Sequence, residues 1–450
     1  MQPDDAQVRI LTLNCWGLWL VSKKRRARIE AIARRLADES EQHDIVALQE
    51  LWVEEDFELV RESVQHYLPH VKRWYSGILT GPGLVVFSRW PIESAWIFRF
   101  PLNGRPSAFW RGDWYVGKSA GSCVIRHPCG RRLEVINAHL HAPYQPTYDC
   151  HRVSQAWDMA GIVSRAISSG HTVFVTGDLN YRPQSIGLRL FELKAHLSDA
   201  WVCTHRSHRR SRQNSITISR DIHTLAQDNM AEDVEKDILV QRGIGQLSPE
   251  EQIDLVGVTS DSQLNTWREH YAPERAQRLD YIFFDADKAT PKSCRVTFTQ
   301  PVPDVGSVSD HFGVMATFAL TSPPKFLSPF SASQSALPAS EPIPNKLEVE
   351  RMLDDILKVI GDYVPQARRQ AFWRNTAFWL CSAGLVGLLV AVWWGAASNR
   401  SYVGFIFLVV ALGAAVGGCM NGLLGFLFGR NEQRALQEFE TQVRLARSLE

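Results

Sequence analysis

The stretch TVFVTGDLN (172–180) joins a β-branched and aromatic run to a polar ending. A run of Val, Thr and Phe bounded by Gly, Asp or Asn is typical of a buried strand. Seven more stretches have the same apolar character and similar boundaries: VRILTLN (8–14), DIVALQE (44–50), GLVVFSRWPI (83–92), GSCVIRHP (121–128), RLEVINAHL (132–140), LDYIFF (279–284) and FGVMATFAL (312–320). The sequence therefore predicts many short strands over residues 8–320.

Helical patterns lie between these predicted strands. In residues 23–38, Ile29, Ile32 and Leu36 recur at i, i+3 and i+7, which is one face of a helix. A second helix is predicted over residues 150–169. Strands interleaved with helices indicate an α/β fold, in which layers of sheet and helix enclose one large core.

Acidic, amide and histidine side chains stand at the ends of the predicted strands. In layered folds such strand ends and the loops beyond them are where ligands bind, because a rigid scaffold positions their polar groups. The residues are Asn14, Glu50, Asn137, His139, Asp178, Asn180, Asp280, Asp310 and His311. We interpret them as one candidate site.

The residue types in this set favour metal-assisted hydrolysis of a phosphate ester. Carboxylates and amides are hard oxygen ligands, which suit Mg²⁺, or Mn²⁺, better than zinc. Histidine adds acid–base capacity near neutral pH and can activate water. The sequence contains no nucleophile elbow, Walker A loop or H-E-x-x-H motif, which argues against a serine hydrolase, a P-loop NTPase and a zincin.

Two apolar runs without a charged residue lie near the C-terminus, at 375–399 and 401–429. Each is longer than the about 20 residues that cross a bilayer. We therefore predict two transmembrane helices within 375–429. The predicted organisation is a catalytic domain (1–320), a Pro/Ser-rich linker (321–346), a juxtamembrane amphipathic helix (347–374), the two transmembrane helices and an amphipathic cytosolic tail (430–450).

Basic residues flank the predicted hairpin on one side. By the positive-inside rule, this distribution places both ends and the catalytic domain in the cytosol. An integral protein of the endoplasmic reticulum or another internal membrane is the expectation. The residues concerned are Arg368, Arg369, Arg374, Arg430 and Arg434, against Arg400 alone in the turn.

Composition excludes several other classes of protein. The chain has 49 Lys and Arg against 48 Asp and Glu, a net charge of +1, which argues against a dedicated nucleic-acid binder. Its 8 cysteines form no C-x-x-C motif and are interpreted as reduced cytosolic thiols. No secretory signal peptide is recognisable at the N-terminus.

An ordered series of motifs runs along the chain: LTLNCWG, IVALQE, VFSRWPI, INAHLHA, TGDLN, RLDYIFF and SDHFGV. In this order they resemble the magnesium-dependent endonuclease/exonuclease/phosphatase superfamily. NCWG, AHLHA, GDWYVGKSAG (112–121) and the C-terminal hairpin are similar to the membrane-bound neutral sphingomyelinases, a group that includes the inositol phosphosphingolipid phospholipases C. The resemblance covers about residues 1–320 by motif.

This resemblance implies a four-layer α/β/β/α sandwich, followed here by a two-helix transmembrane hairpin. It also implies Mg²⁺-dependent, phospholipase-C-type hydrolysis of sphingolipid phosphodiesters to ceramide and a phosphorylated headgroup. Glu50 would be the main metal ligand with Asn14 beside it, and His311 would be the general base, oriented by Asp310. His139 would assist the leaving alkoxide or bind phosphate.

The remaining site residues also receive roles from the resemblance. Asp178 and Asn180 would hold phosphate and the attacking water, and Asp280 would support His311 or the metal. Lys118, in the segment resembling a phosphate loop, and Asn137 are assigned to substrate or lipid binding. Headgroup specificity, oligomeric state and activation by an anionic phospholipid are left open.

Three further segments carry interpretations. Aromatic residues concentrated in 97–118 either form a lip that enters lipid beside the site or pack on the sheet. The basic run that opens the first helix, from Lys23 to Arg28, is interpreted as a solvated face, with attraction to anionic lipid as the alternative. Residues 203–250, with the cluster around Arg209, are interpreted as an insertion or surface loop.

Two other functions compete with the sphingolipid interpretation. GDLNYR (177–182) also fits an inositol polyphosphate phosphatase of the same superfamily, although QRLDYIF stands where those enzymes would be expected to carry a Trp-Cys-Asp-Arg-type segment. A DNase-like nuclease is disfavoured by the near-neutral charge and the apolar hairpin. A non-catalytic scaffold would be expected to lack Glu50 or His311, and both are present.

Overall fold

Two six-stranded sheets form the centre of the fold in the computed structural model, which describes residues 7–19, 21–38, 43–205, 243–321, 346–397 and 401–449. The order is β11-β12-β1-β2-β4-β3 in the first sheet and β5-β6-β7-β8-β10-β9 in the second. The strands are β1 (Gln7–Asn14), β2 (Ile45–Gln49), β3 (His70–Arg73), β4 (Val85–Ser88), β5 (Ile92–Arg99), β6 (Ser119–Arg126), β7 (Arg132–His139), β8 (Thr172–Asp178), β9 (Leu197–Asp199), β10 (Asp280–Asp285), β11 (Ala289–Thr297) and β12 (Gly313–Leu320).

Helices cover the outer faces of the sheets and form the C-terminal part of the chain. They are α1 (Arg25–Leu36), α2 (Glu54–Val64), α3 (Asp113–Val116), α4 (Asp149–Ser168), α5 (Ile186–Arg189), α6 (Pro249–Val256), α7 (Lys346–Ala397), α8 (Ser401–Gly422) and α9 (Arg430–Leu449). A π-helical turn, Leu423–Gly429, joins α8 to α9.

Each sheet contains one parallel pair of strands joined by a helix. β1 and β2 are parallel and are connected through α1, and β7 and β8 are parallel and are connected through α4. Parallel strands need such a crossover, and their carboxyl ends then lie at the same edge of the sheet. This topology brings the residues that follow β1, β2, β7 and β8 to common edges.

The apolar core fills the space between the two sheets. Ile10 and Val86 of the first sheet belong to the same buried cluster as Val135 and Phe174 of the second. On the outer face of the first sheet, Ile32 and Val60 of α1 and α2 join a second cluster with Leu11, Leu13, Val46 and Leu48. The four-layer α/β/β/α sandwich is therefore confirmed.

The sequence did not predict the four edge strands as separate strands, namely β3, β5, β9 and β11. An edge strand pairs on one side only and is partly exposed, so it needs no continuous apolar run. Strand β5 illustrates this, since none of its residues is buried. The predicted strand 83–92 instead divides into β4 in one sheet and the start of β5 in the other.

The chain divides into two compact units, the first comprising residues 1–100, 115–143 and 155–343 and the second residues 101–114, 144–154 and 344–450. In the second unit, α7 is one continuous helix of 52 residues, so the expected juxtamembrane helix and first apolar run are not separated by a break. Two helical segments are long and apolar enough to cross a membrane. The predicted linker 321–346 lies almost wholly outside the described residues.

Glycines on α8 and the π-helical turn let this part of the chain approach α7 closely. A Cβ built on Gly422 would lie 2.8 Å from Cδ2 of Phe378, and one on Gly425 would lie 2.1 Å from Oδ1 of Asn375. Small residues at such spacing allow helices to pack at short range in an apolar environment. These glycines therefore let the two arms of the hairpin pack against each other.

Candidate active site

The polar ends of four neighbouring strands meet at one edge of the two sheets. Asn14 ends β1 in register with Gln49, which precedes Glu50, while His139 ends β7 in register with Asp178 of β8. Asp280 opens the antiparallel β10 directly opposite Asp178. Residues far apart in the chain therefore converge because their strands are adjacent, and the site lies wholly within the first compact unit.

The amide of Asn14 connects the two sheets at this edge. Its Nδ2 donates to Oε1 of Glu50 at 3.2 Å and to Oδ2 of Asp178 at 3.1 Å. Its Oδ1 accepts from the backbone N–H of Trp16 at 3.0 Å, which fixes the orientation of the amide. Glu50 itself has a φ of 58°, an uncommon conformation outside glycine that is found disproportionately at functional sites.

His311 is held by a carboxylate that comes from another strand. Its Nδ1 donates to Oδ2 of Asp280 at 2.8 Å, while its Nε2 lies 3.9 Å from Oδ2 of Asp178 and 3.5 Å from Oγ of Ser260. Burial lowers the pKa of His311, but the nearby carboxylates, Asp280 foremost, outweigh burial and hold this pKa well above the usual range. The geometry gives a His–Asp pair whose Nε2 points towards Asp178.

Asp310 does not orient His311, contrary to the prediction. Its Oδ2 accepts from Nη2 of Arg268 at 2.7 Å, and Arg268 also pairs with Asp261 at 3.3 Å. Adjacent residues of an extended chain point their side chains in opposite directions. Asp310 is therefore bonded to Arg268, and the carboxylate that bonds the ring of His311 is that of Asp280.

His139 and Lys118 form a buried pair. Nζ of Lys118 donates to Nε2 of His139 and to the carbonyl of Leu140, both at 2.8 Å. Burial lowers the pKa of His139 well below its usual value, and the charges of Lys118 and His311 lower it further. His139 is therefore neutral and accepts at Nε2, 3.4 Å from Oδ2 of Asp178. Lys118 places the ammonium group inside the site.

Asn180 is fixed in a tight turn beyond β8. Its backbone N–H donates to Oδ1 of Asp178 at 3.0 Å, and its Nδ2 donates to the carbonyl of Leu140 at 3.0 Å. Its φ of 54° lies in the left-handed region, which Asn tolerates better than most residues. The turn keeps the amide beside Asp178, where the sequence placed it.

Asn137 is a structural residue, and its assignment to substrate binding is wrong. Its side chain is fully buried between the sheets. Nδ2 donates to the carbonyls of Leu48 at 2.9 Å and Val85 at 3.0 Å, and Oδ1 accepts from Nε2 of Gln49 at 2.8 Å. These bonds join β7 of one sheet to β2 and β4 of the other, so the amide has no access to a ligand.

The site concentrates negative charge in a buried place. Burial raises the pKa of Glu50 to about 7, with Asp310 adding to the effect, and burial raises the pKa of Asp178 to about 6. Oδ1 of Asp280 is buried without a hydrogen-bond partner. Carboxylates that resist ionisation in this way gain most from a nearby cation.

These residues fit a divalent metal ion. Potential ligand atoms of Asp178, Asp280 and His311 lie within 4.8 Å of one another. Glu50 and Asp178 share the same amide donor, Asn14, where a cation would satisfy both carboxylates. Oxygen-rich donor sets of this kind suit hard ions such as Mg²⁺. The candidate ligands thus include Asp178 in addition to the predicted Glu50, whereas Asn14 turns its Nδ2 donor towards both carboxylates and Asp280 is bonded to His311.

Two arginines that support the loops of the site were not predicted. Arg268 pairs with Asp310 as described, and Arg28, interpreted as part of a solvated face, is fully buried. Arg28 donates to the carbonyls of Lys23 at 2.8 Å, Cys15 at 3.1 Å, Val308 at 3.0 Å and Trp16 at 2.7 Å. It therefore ties together the loops that carry Asn14 and His311. The sequence did hold a sign that Arg28 is buried, because Arg28, Ile32 and Leu36 lie on the same face of the helix.

The aromatic segment 97–118 is largely turned towards protein. Phe100 is buried, and Phe98, Trp114 and Tyr115 are half-buried, whereas Trp110 is 69% exposed. The ring of Trp114 packs edge-on against Phe428 and not on a sheet, so the two interpretations of the segment stay predictions. The side chain of Phe109 and the basic cluster around Arg209 lie outside the described set.

Comparison with known proteins adds to this geometry. The chain matches the endonuclease/exonuclease/phosphatase family over residues 11–311. It is 34% identical to the inositol phosphosphingolipids phospholipase C of Saccharomyces cerevisiae over 97% of this chain and 89% of that protein. The protein of that name from Schizosaccharomyces pombe is 31% identical over 97% and 94%. Sphingomyelin phosphodiesterase 2 of Homo sapiens is 34% identical over 51% and 54%.

Proposed function

Because this chain belongs to the endonuclease/exonuclease/phosphatase family and is a phosphodiester hydrolase of its sphingolipid phospholipase C branch, we propose that it cleaves membrane sphingolipids to ceramide and a phosphorylated headgroup. One observation carries the proposal. Asp178 lies between Glu50, with which it shares the Asn14 amide, and His311, whose Nε2 is 3.9 Å away. A base and a carboxylate-rich candidate metal site thus lie side by side, as attack of water on a phosphodiester requires.

His311 is proposed as the general base. Its Nδ1–H is fixed on Asp280 at 2.8 Å, which leaves Nε2 to accept a proton from the attacking water. The same hydrogen bond stabilises the imidazolium that forms, because the carboxylate is buried and lies close to the ring. Asp280 acts through His311 and is therefore a positioning residue in this scheme.

Lys118 and Asn180 are proposed to bind the phosphate. Both side chains reach the carbonyl of Leu140, Lys118 at 2.8 Å and Asn180 at 3.0 Å, so their nitrogens lie close together. Fixed donors of this kind stabilise the negative charge that grows on the phosphoryl oxygens in the transition state. His139 is neutral and accepts a hydrogen bond from Lys118, so we assign it to positioning Lys118. The proton for the leaving ceramide oxygen then comes from Lys118 or from water.

A divalent cation, for which we propose Mg²⁺, would be held by the carboxylates of Glu50 and Asp178, which the Asn14 amide holds together. When bound, it would offset the negative charge of the phosphate and lower the pKa of water. Glu50 must lose its proton to bind a cation, and Asn14 keeps its carboxylate aligned. Hard oxygen donors favour Mg²⁺ or Mn²⁺ over softer ions.

We propose that the enzyme prefers sphingolipids with an inositol-phosphate headgroup over those with a choline-phosphate headgroup. The two relatives that this chain matches almost from end to end are inositol phosphosphingolipids phospholipases C, whereas the sphingomyelin phosphodiesterase match covers 51% of the chain. We also propose that this chain is an integral membrane protein with its catalytic unit in the cytosol. The two apolar helical segments and their flanking arginines support this topology.

The test is headgroup release by the full chain reconstituted in vesicles with Mg²⁺. Inositol-phosphate and choline-phosphate sphingolipids are compared with a soluble inositol polyphosphate and with duplex DNA. We expect phosphorylated headgroup from the sphingolipids only, lost in His311→Ala and retained in His66→Ala, an exposed histidine on the surface. Release of inorganic phosphate from the inositol polyphosphate would favour the phosphatase alternative, and DNA cleavage would favour the nuclease.

A further inference from the structure

Exposed hydrophobic side chains of the first compact unit are concentrated on two loops. Among its described residues six large hydrophobic side chains are exposed, and five of them lie in the segment after β1 or in the loop between β3 and β4. These five are Trp19, Val21, Tyr75, Ile78 and Leu79, exposed by 65% to 72%. We call them the apolar rim. Such clustering marks an interaction surface, whereas single exposed apolar residues are ordinary.

Both loops border the candidate active site. The first continues from Asn14, and the N–H of Gly17 donates to the carbonyl of Glu50 at 3.0 Å. The second ends at Gly83, whose carbonyl accepts from the N–H of Leu51 at 3.0 Å. The two loops are therefore bonded to Glu50 and to the residue that follows it.

The tip of the second loop is also fixed against the segment that leads to Lys118. The N–H of Ile78 donates to the carbonyl of Tyr115 at 3.0 Å. Gly77 has a φ of +69°, and a Cβ built there would lie 2.4 Å from the carbonyl oxygen of Val116. Only glycine fits this approach, so the loop presents Ile78 and Leu79 to solvent from a defined backbone.

The composition of the rim matches the boundary between lipid headgroups and acyl chains. Trp and Tyr favour that boundary because an apolar ring carries a polar tip, and Val, Ile and Leu favour the acyl side. Lys23 and Lys24, both exposed, follow Val21 after a single residue, Ser22. Basic side chains next to an apolar tip complement lipid phosphates. The chain also carries two segments able to cross a bilayer, so a bilayer is the apolar surface available to it.

We propose that the apolar rim inserts into the leaflet that holds the substrate, so that the phosphodiester reaches Glu50 and His311 while the ceramide stays in the membrane. This inference rests on the proposed function for the identity of the substrate. It places the lipid contact on Trp19, Val21 and the loop 75–79, and not on the aromatic segment 97–118. A second copy of the chain covering the same side chains is the alternative that the experiment must detect.

Photocrosslinking tests the insertion without depending on activity. The full chain, with p-benzoylphenylalanine in place of Leu79, is reconstituted in phosphatidylcholine vesicles that contain sphingolipid, irradiated and analysed by mass spectrometry. The matched control carries the same group in place of Trp96, the sixth exposed hydrophobic residue, on edge strand β5. We expect lipid adducts at position 79 and at least fivefold fewer at position 96. Equal labelling, no lipid adduct at 79, or adducts between protein chains in place of lipid would overturn the proposal.

A second measurement links the rim to catalysis. For Ile78→Ser combined with Leu79→Ser, we expect the hydrolysis rate on vesicles to fall by about tenfold, since two apolar side chains lose their burial in lipid. Hydrolysis of a short-chain sphingolipid below its critical micelle concentration should change by less than about twofold. Equal loss with both substrates would show that the loop only supports the site and would overturn the proposal. If the unaltered chain cleaves neither substrate, the proposed function fails and crosslinking alone decides the insertion.

Discussion

Replacing Arg28 by Met is expected to destabilise the catalytic unit strongly, although Arg28 would not touch the substrate. The guanidinium is fully buried and donates four hydrogen bonds to the carbonyls of Lys23, Cys15, Val308 and Trp16, at 2.7–3.1 Å. Burial lowers the pKa of Arg28 to about 10, so the group is still charged at neutral pH. Methionine fills a similar volume but leaves four carbonyls without this donor, two of them in fully buried hydrogen bonds.

The size of the destabilisation follows from two opposing free energies, that of the lost hydrogen bonds and that of the recovered desolvation cost. Hydrogen bonds from a charged donor contribute about 1.5–3 kcal/mol each, so four of them amount to about 6–12 kcal/mol. The mutant recovers the desolvation cost of a buried charge, which is several kcal/mol. The net loss in the free energy of unfolding is therefore about 3–5 kcal/mol, a large part of the about 5–15 kcal/mol that stabilises a typical domain.

Thermal unfolding in detergent, followed by tryptophan fluorescence, measures this loss. A melting temperature lower by about 6–10 °C is expected for Arg28→Met, with Arg28→Lys in between because one ammonium cannot reach four carbonyls. The control is Arg26→Met on the same helix, where an exposed pair with Glu30 contributes about 0–1 kcal/mol. Equal melting temperatures for Arg28→Met and Arg26→Met would refute the assignment of Arg28 as the link between the loops.

Further expectations concern the site itself. Asp280→Asn removes the carboxylate that most raises the pKa of His311. Because a general base must be neutral to accept a proton, the rise of kcat/KM with pH should move to lower pH. An unchanged pH profile would show that Asp280 does not set the pKa of the base. Glu50, with a pKa of about 7, must lose a proton to bind Mg²⁺, so calorimetry should find binding at least about tenfold tighter at pH 8 than at pH 6. Glu50→Gln should keep only the about twofold dependence that comes from Asp178, whose pKa is about 6. Asn137→Ala should lower the free energy of unfolding by about 3 kcal/mol, because it leaves buried hydrogen-bond partners unpaired. The kcat/KM of the folded enzyme should not change. A loss of kcat/KM without a loss of stability would show that Asn137 belongs to the active site.

The interior of the fold was readable from the sequence, and its edges were not. The interior strands, such as β7 and β8, are buried on both faces and appear as apolar runs with polar ends. The edge strands are partly exposed and are held by pairing on one side, a long-range contact that leaves little local pattern. The same limit explains why 83–92 was predicted as one strand when it divides between two sheets.

The members of the site were predictable, but several of their partners were not. Strand ends gave Asn14, Glu50, Asp178 and His311 because chain order and sheet edges make such residues converge. The partner of His311 could not be read from its neighbours, since Asp310 is adjacent in sequence while the bond is made by Asp280, 31 residues away. The pairing arises from strand packing, which a single sequence does not encode locally.

The most direct measurement is the fate of oxygen from water during turnover. The full chain is incubated with sphingolipid vesicles and Mg²⁺ in ¹⁸O-water, and both products are analysed by mass spectrometry. Attack of water on phosphorus, with His311 as the base, should place one ¹⁸O in the phosphorylated headgroup and none in ceramide, at a rate that His311→Ala nearly abolishes. Label in the ceramide hydroxyl, or labelled headgroup formed at an undiminished rate by His311→Ala, would contradict the proposed chemistry.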